Sequence, residues 1–328
     1  MTEDDRKLIV GLDLGGTSLK AGLFDGGLHE VASCQPATPR EGGPGAVIDG
    51  LVAATEAMLA EAGVQRSSLA AVGVGVPGPV RPRTRMVYTL TNLPGWRDVA
   101  LGEILEERLG CGLVEVANDA DAAAFGEFER LRETDPTVGD VVCLTLGTGV
   151  GCGLIIGGRP LAGAHGLGNE AGHIIVEPNG RPCKCGQHGC VEQYASATAL
   201  INDVRQRLAA GEASVLVDNE SLSGKAIFDA AAQGDALAAS AIEFLADHLA
   251  LALIAICRLV DPEAVVLGGG LSEAGELLLR PVREAMDRRW WRVSDIKPRL
   301  RAAELGNDAG KRGAAGLARR RLIKAARR

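Results

Sequence analysis

Twice in this chain an apolar run breaks at a glycine turn bearing threonine and resumes as a second apolar run. The first instance is KLIVGLDLGGTSLKAGLFD, with Leu8–Leu14, then Gly15-Gly16-Thr17, then Ser18–Phe24. The second is VVCLTLGTGVGCGLIIGG, running from Val141 to Gly158. Without gaps, Leu144-Thr145-Leu146-Gly147-Thr148-Gly149 aligns on Leu12-Asp13-Leu14-Gly15-Gly16-Thr17. Short apolar runs joined by such turns read as β-hairpins. One unit recurring in both halves restricts the fold to an architecture duplicated in the two halves. Helix-like segments at Ala46–Ala62, Leu101–Leu109 and Asp121–Arg132 alternate with strand-like runs at Ala70–Val76, Gly112–Val116 and Ala264–Leu267. That alternation implies an α/β protein with mixed sheets. A length of 328 residues suits two domains, and with no low-complexity linker between them they are expected to form a clam around a cleft.

Glycine turns after strands expose backbone N–H groups, and neighbouring threonine hydroxyls complete an anion cradle. There are three candidates: Gly15-Gly16-Thr17, Gly147-Thr148-Gly149 and Gly268-Gly269-Gly270. None fits the P-loop or the Rossmann fingerprint, so they point to a nucleotide held between domains. Asp13 ends the first strand beside its turn, where an acid can hold Mg²⁺ next to a polyphosphate or cap its own turn. Lys20 on the returning strand is either a phosphate partner or a solvent-facing strand residue.

Between Gly166 and Ser196 the chain reads GLGNEAGHIIVEPNGRPCKCGQHGCVEQYAS. Cys183, Cys185 and Cys190 with His173 make a closed tetrahedral zinc set, the composition of a structural site. Gly186 and Gly189 supply the positive-φ turns that crowded thiolates require. His188 is the rival fourth ligand, but it lies between two ligand cysteines where a short loop can hardly turn both ways, so His173 is preferred. Glu170 and Glu192 flank the set, as in a metal-braced loop that holds polar groups toward a hydroxyl-rich ligand.

Asn118-Asp119 follows a strand and precedes an alanine-rich helix expected to start near Asp121. Each of these polar residues is a good N-cap; with Asp121 capping, Asp119 is free to act as a base. Phosphoryl transfer to a hydroxyl needs such a carboxylate, an Mg²⁺–nucleotide and donors for the developing charge.

The net charge of −7 disfavours nucleic acid as a partner, because eight of the basic residues fall between Lys311 and Arg328 and leave the body acidic. The tail LARRRLIKAARR spaces Leu317, Leu322, Ile323 and Ala326 as a solvated amphipathic helix. The opening MTEDDRKL lacks a signal-peptide core. The segment Ala241–Val260 carries Glu243, Asp247 and His248 and reads as a core helix, with no membrane span expected. Five scattered cysteines in apolar surroundings fit reduced, buried thiols and a cytoplasmic location.

The motifs LDLGGTSLKAGLF, GVPGPV (Gly75–Val80), NLPGW (Asn92–Trp96), AND (Ala117–Asp119), LGTGVGCGLIIGG, the Asn169–Ser196 element, AVVLGGG and DAGKRGAAGLA together resemble the ROK (repressor, open reading frame, kinase) sugar kinases, above all their bacterial glucokinases, over essentially the whole chain. The resemblance implies an actin-like ATPase (ribonuclease H-like) clam. Residues 1–118 would form a small domain completed by a helix at 309–328, and residues 119–308 a large domain carrying the zinc loop. It implies ATP-dependent, Mg²⁺-assisted phosphorylation of D-glucose, with Asp119 as catalytic base. Asn118, Glu170, His173, Glu192 and Gly78 would bind sugar beside Asp119. The phosphate loops would use Asp13, Gly15, Gly16, Thr17 and Lys20 on one side and Gly147, Thr148, Gly149, Gly269 and Gly270 on the other. His173, Cys183, Cys185 and Cys190 would hold structural Zn²⁺, with His173 serving metal and sugar through different ring nitrogens, and a homodimer is the family expectation. Ala117 stands where Glu is common, and Asn169 where a small residue usually precedes Glu170. The alternatives are kinases for N-acetylmannosamine, N-acetylglucosamine, mannose or fructose. A non-catalytic sugar-sensing regulator is a further alternative, though with the first strand starting at Leu8 no DNA-binding module is expected.

Overall fold

A computed structural model describes residues 7–327 except Thr91, Asp218 and Glu220. Met1–Arg6 and Arg328 lie outside the described residues, and with them most of the acidic opening and the outermost ends of the expected domains. Strand β1 (Leu8–Leu14) turns at Gly15–Ser18 and returns as β2 (Leu19–Phe24), antiparallel, with Asp13 opposite Lys20. β3 (Glu30–Cys34) extends this meander, and helix α1 (Gly43–Glu61) carries the chain across the sheet. β4 (Leu69–Val76) then runs parallel to β1, as a helical crossover requires. The short hairpin of β5 (Val80–Arg81) and β6 (Met86–Val87) precedes α2 (Leu101–Leu109) and β7 (Val114–Asn118). The sheet order is β3-β2-β1-β4-β7.

From the end of β7 the chain enters α3 (Asp119–Thr134) and passes to a second sheet. Its strands are β8 (Val141–Leu146), β9 (Val150–Ile156) and β10 (Arg159–Pro160). The cysteine segment follows, then α4 (Glu192–Ala195), α5 (Ala197–Ala209), α6 (Gly224–Ala232), α7 (Ala236–Val260), β11 (Ala264–Gly268), α8 (Glu276–Arg289) and β12 (Arg299–Ala302). The order β10-β9-β8-β11-β12 repeats the first sheet strand for strand. The expected duplication therefore extends from the hairpins to whole sheets, and Thr145, paired with Gly151, occupies the place of Asp13.

Each sheet has its own apolar core. Helix α7 is long and apolar enough to cross a membrane, yet most of its apolar residues from Leu237 to Cys257 pack in the core of the second sheet, Phe244 and Leu251 being exposed. Of the five scattered cysteines, Cys111, Cys143, Cys152 and Cys257 are buried, while Cys34 is only half-buried.

The final helix α9 (Ala309–Ala326) corrects the sequence expectation. Its buried face is the Gly/Ala-rich first half, and of the stripe Leu317, Leu322, Ile323 and Ala326 only Leu317 is buried. A Cβ at Gly73 would overlap the Ala314 carbonyl and one at Gly313 would overlap the Ala122 carbonyl, so α9 lies backbone to backbone on β4 and α3. Small residues alone permit that approach. Two residues of the basic half are paired within the fold, Arg319 with Glu129 and Arg321 with Glu115.

Candidate active site

The ends of β1 and β8, the start of α3 and the start of α9 converge on a cleft with a cavity of about 430 Å³. Asp13, Lys20 and Asp119 face it from one side, and Gly147, Thr148 and Gly149 from the other. Glu192, Gly268 and Gly269 also line it. Lys20 is thus a cleft residue, its Nζ 3.8 Å from Asp13 Oδ2 and 3.5 Å from Asn307 Oδ1. The first turn is held by Gly15 N–H donating to the Ser18 carbonyl (3.0 Å) and by the Thr38 hydroxyl donating to the Gly15 carbonyl (2.7 Å). Gly16 in that turn faces Asn92 of NLPGW, and Thr17 accepts from Thr38 N–H. Gly269 takes φ 80° where a Cβ would press on the Leu146 backbone, and Gly270 opens the short turn that follows.

Helix α3 begins two residues earlier than the periodicity suggests. Its cap is Asn118, not Asp121: Asn118 Oδ1 accepts from Ala120 N–H (2.9 Å) and Asp121 N–H (3.4 Å). The Asn118 amide also donates to the Gly78 carbonyl (3.3 Å), which joins GVPGPV to the site. Asp119 is left in the first turn with a helix N-terminus behind it. Burial is the main reason that its carboxyl is raised to about 6; the nearby charge of Asp13 adds to it, and hydrogen bonds from Ala120 N–H and neighbouring groups oppose it. Asp13 is raised too, by burial, against the lowering influence of Lys20.

Three thiols and one imidazole meet on the expected segment. The ligand atoms of His173, Cys183, Cys185 and Cys190 all lie within 4.8 Å of one another. His173 Nδ1 is 3.6 Å from Cys183 Sγ, and Cys185 Sγ is 3.6 Å from Cys190 Sγ. Ligands about 2.0–2.3 Å from a tetrahedral Zn²⁺ would be separated by about 3.3–3.8 Å, so the donor set fits that ion. His188 is not in the group. Gly186 and Gly189 have φ of 92° and 77°, as expected of the tight loop. Gln193 Nε2 reaches Cys183 Sγ at 3.7 Å, an outer contact of the kind that orients a thiolate.

The loop carries its carboxylates to two places. Glu170 is exposed just ahead of the turn Ala171–His173, and its carbonyl accepts from His173 N–H (2.9 Å). Glu192 opens α4, and its Oε2 accepts from Val150 N–H at 3.1 Å over the second glycine turn. Sequence reasoning missed the contribution of α9 and the segment before it. Asn307 and Gly310 line the cleft, and a Cβ at Gly310 would overlap the Asp13 carboxylate. The DAGK motif was visible, but its address depends on where the helix docks. Lys311 in that motif is buried in ion pairs with Glu30 (2.7 Å) and Asp308 (3.1 Å) and is not among the described residues lining the cleft.

The model of the ROK family matches residues 9–321. The chain belongs to the ROK family. Among ROK relatives it is 39% identical to a glucokinase of Streptomyces coelicolor, covering 95% of this chain and 98% of that one. It is 32% identical to an N-acetyl-D-glucosamine kinase of Escherichia coli, covering 94% and 98%. A ROK family glucokinase from Streptomyces griseus, solved in complex with glucose and AMPPNP, superposes with a TM-score of 0.77 at 38% identity, covering 95% of this chain and 99% of that one. The two repeated sheets are those of the two-domain actin-like ATPase fold, and this ROK protein is an ATP-dependent sugar kinase.

Proposed function

We propose that this kinase transfers the γ-phosphoryl group of ATP to the 6-hydroxyl of D-glucose, with Asp119 as general base. The observation that carries the reading is Asp119 itself, a carboxylate on the cleft wall raised to about 6 and facing Asp13 and the glycine turns. A base poised near neutral pH accepts a proton most effectively. As the 6-oxygen forms its bond to the γ-phosphorus, the bond from that phosphorus to the β,γ-bridging oxygen breaks, ADP departs, and the hydroxyl proton passes to Asp119. Asp13 would hold Mg²⁺, which supplies neutralisation of charge on the phosphates. The N–H groups of the Gly15–Thr17 and Gly147–Gly149 turns, with Gly269 and Gly270 near them, would orient those phosphates.

The groups left uncommitted within the fold support a hydroxyl-rich partner. Asn118 uses its oxygen for the cap and its amide N–H groups toward the Gly78 carbonyl and Asp119, which fixes it beside the base. Glu192 has Oε1 free of the Val150 bond. His173 turns Nδ1 to the thiols, leaving Nε2 for a sugar hydroxyl. Zn²⁺ on His173, Cys183, Cys185 and Cys190 would brace the loop between Glu170 and Glu192. A coupled assay of hexoses and N-acetylhexosamines with Mg-ATP tests the reading; glucose is expected to give the highest kcat/KM, and an N-acetylhexosamine ahead of it would sink the glucose assignment.

A further inference from the structure

Asn169 has a left-handed backbone, φ 65°, directly before Glu170. Asn is one of the few non-glycine residues enriched there. Its Nδ2 donates to Asp121 Oδ1 at 2.9 Å and also to the Leu161 carbonyl. An ionised carboxylate and a carbonyl only accept, so this amide orientation is the one that satisfies both. Asp121 sits in the first turn of α3, two residues beyond Asp119, with its own N–H tied to the capping Asn118. Among the described residues this is the one side-chain hydrogen bond between that turn and the segment from Leu161 to His173. Burial raises the Asp121 carboxyl to about 6; the Asn169 bond opposes the rise, and the charges of Asp119 and Glu170 add to it.

We propose that the Asn169–Asp121 bridge is a positioning contact that sets Glu170 of the sugar loop relative to the base on α3, an inference that rests on the kinase reading above. Neither residue touches the reacting atoms. The bridge ties the first turn of α3 to the residue directly before Glu170, so its geometry bears on how a sugar held by Glu170 presents its hydroxyl to Asp119. A shift of about 1 Å at such a joint can cost up to a hundredfold in rate.

The test uses the full chain, Mg-ATP and the best hexose of the panel, with sugar KM, ATP KM and kcat measured separately and sugar binding titrated without nucleotide. Asn169→Asp sets two acceptors face to face; sugar KM and Kd are expected to rise about tenfold or more, with ATP KM within about twofold of the parent. Asn169→Gly keeps the left-handed backbone and removes the amide, for a rise of about threefold to tenfold. Asp121→Asn still offers an acceptor and should stay within about threefold of the parent. The combined Asp121→Asn/Asn169→Asp chain restores a donor–acceptor pair across the joint. It is expected to recover most of the sugar KM, though the Leu161 carbonyl loses its donor. An unchanged sugar KM in Asn169→Asp, equal damage to sugar and ATP KM, or a double variant as impaired as Asn169→Asp would each overturn the bridge. Full activity in Asp119→Asn would instead sink the base assignment, a separate result.

Discussion

The carboxylate of Glu192 rests against Gly149: its Oε2 takes the Val150 N–H at 3.1 Å, and a Cβ on Gly149 would overlap that oxygen. A residue at the end of the cysteine loop is therefore fixed to the second glycine turn. Gly149→Ala is expected to push Glu192 aside and to raise KM for sugar and ATP together, with kcat/KM down by about tenfold to a hundredfold. Kinetics varying each substrate in turn check this; a rise confined to ATP would mean that Glu192 does not report to the sugar.

Asp119→Asn should lower kcat by about 10²–10⁴ while sugar binding, read by titration, stays within a few-fold. Acting as the proposed base, Asp119 would have to be deprotonated, so kcat/KM should climb as pH rises through about 6 and level off above it. In the variant that limb should be missing from whatever activity remains.

The same residue predicts a stability change of known sign. The carboxyl of Asp119 is raised in the fold from an ordinary 3.8 to about 6, so its charged form is disfavoured there. The contribution to stability is full below about pH 4 and is lost as pH rises through about 6. At pH 8 Asp119→Asn should therefore unfold at a higher temperature than the parent, by an amount corresponding to about 1–3 kcal/mol. Below pH 4 the difference should vanish. Equal midpoints at pH 8 would show that the carboxylate is not strained in the apo cleft.

Metal analysis of protein purified without chelator should find about one zinc per chain. Cys185→Ser is expected to lose the metal and to raise the sugar KM at least tenfold, because outer contacts and loop order depend on the ion. Zinc-free protein of full activity would remove the ion from the account.

Much of the site was legible because its signals are local. Glycine breaks between apolar runs located both hairpin turns, and three cysteines within eight residues with His173 upstream gave the thiol cluster. The start of α3 was less legible because Asn118, Asp119 and Asp121 all suit a cap, and the strand's end at Asn118 decides among them. The Asn169–Asp121 contact was out of reach for another reason. It joins residues far apart in sequence whose side chains suit many surface roles, and its partner appears only when the loop folds back on α3. The tail helix failed in the opposite direction: alanine and glycine carry little weight in an apolar pattern, yet here they form the buried face.

Helix α9 covers β1 and β4 with a segment translated long after those strands. On the ribosome the first sheet must wait with that face bare while the second sheet is translated. Contacts so distant in sequence close slowly, and an uncovered apolar sheet is the species most exposed to aggregation or chaperone capture. Maturation of the Asp13 side of the cleft, which Gly310 completes, is thereby timed to the arrival of α9.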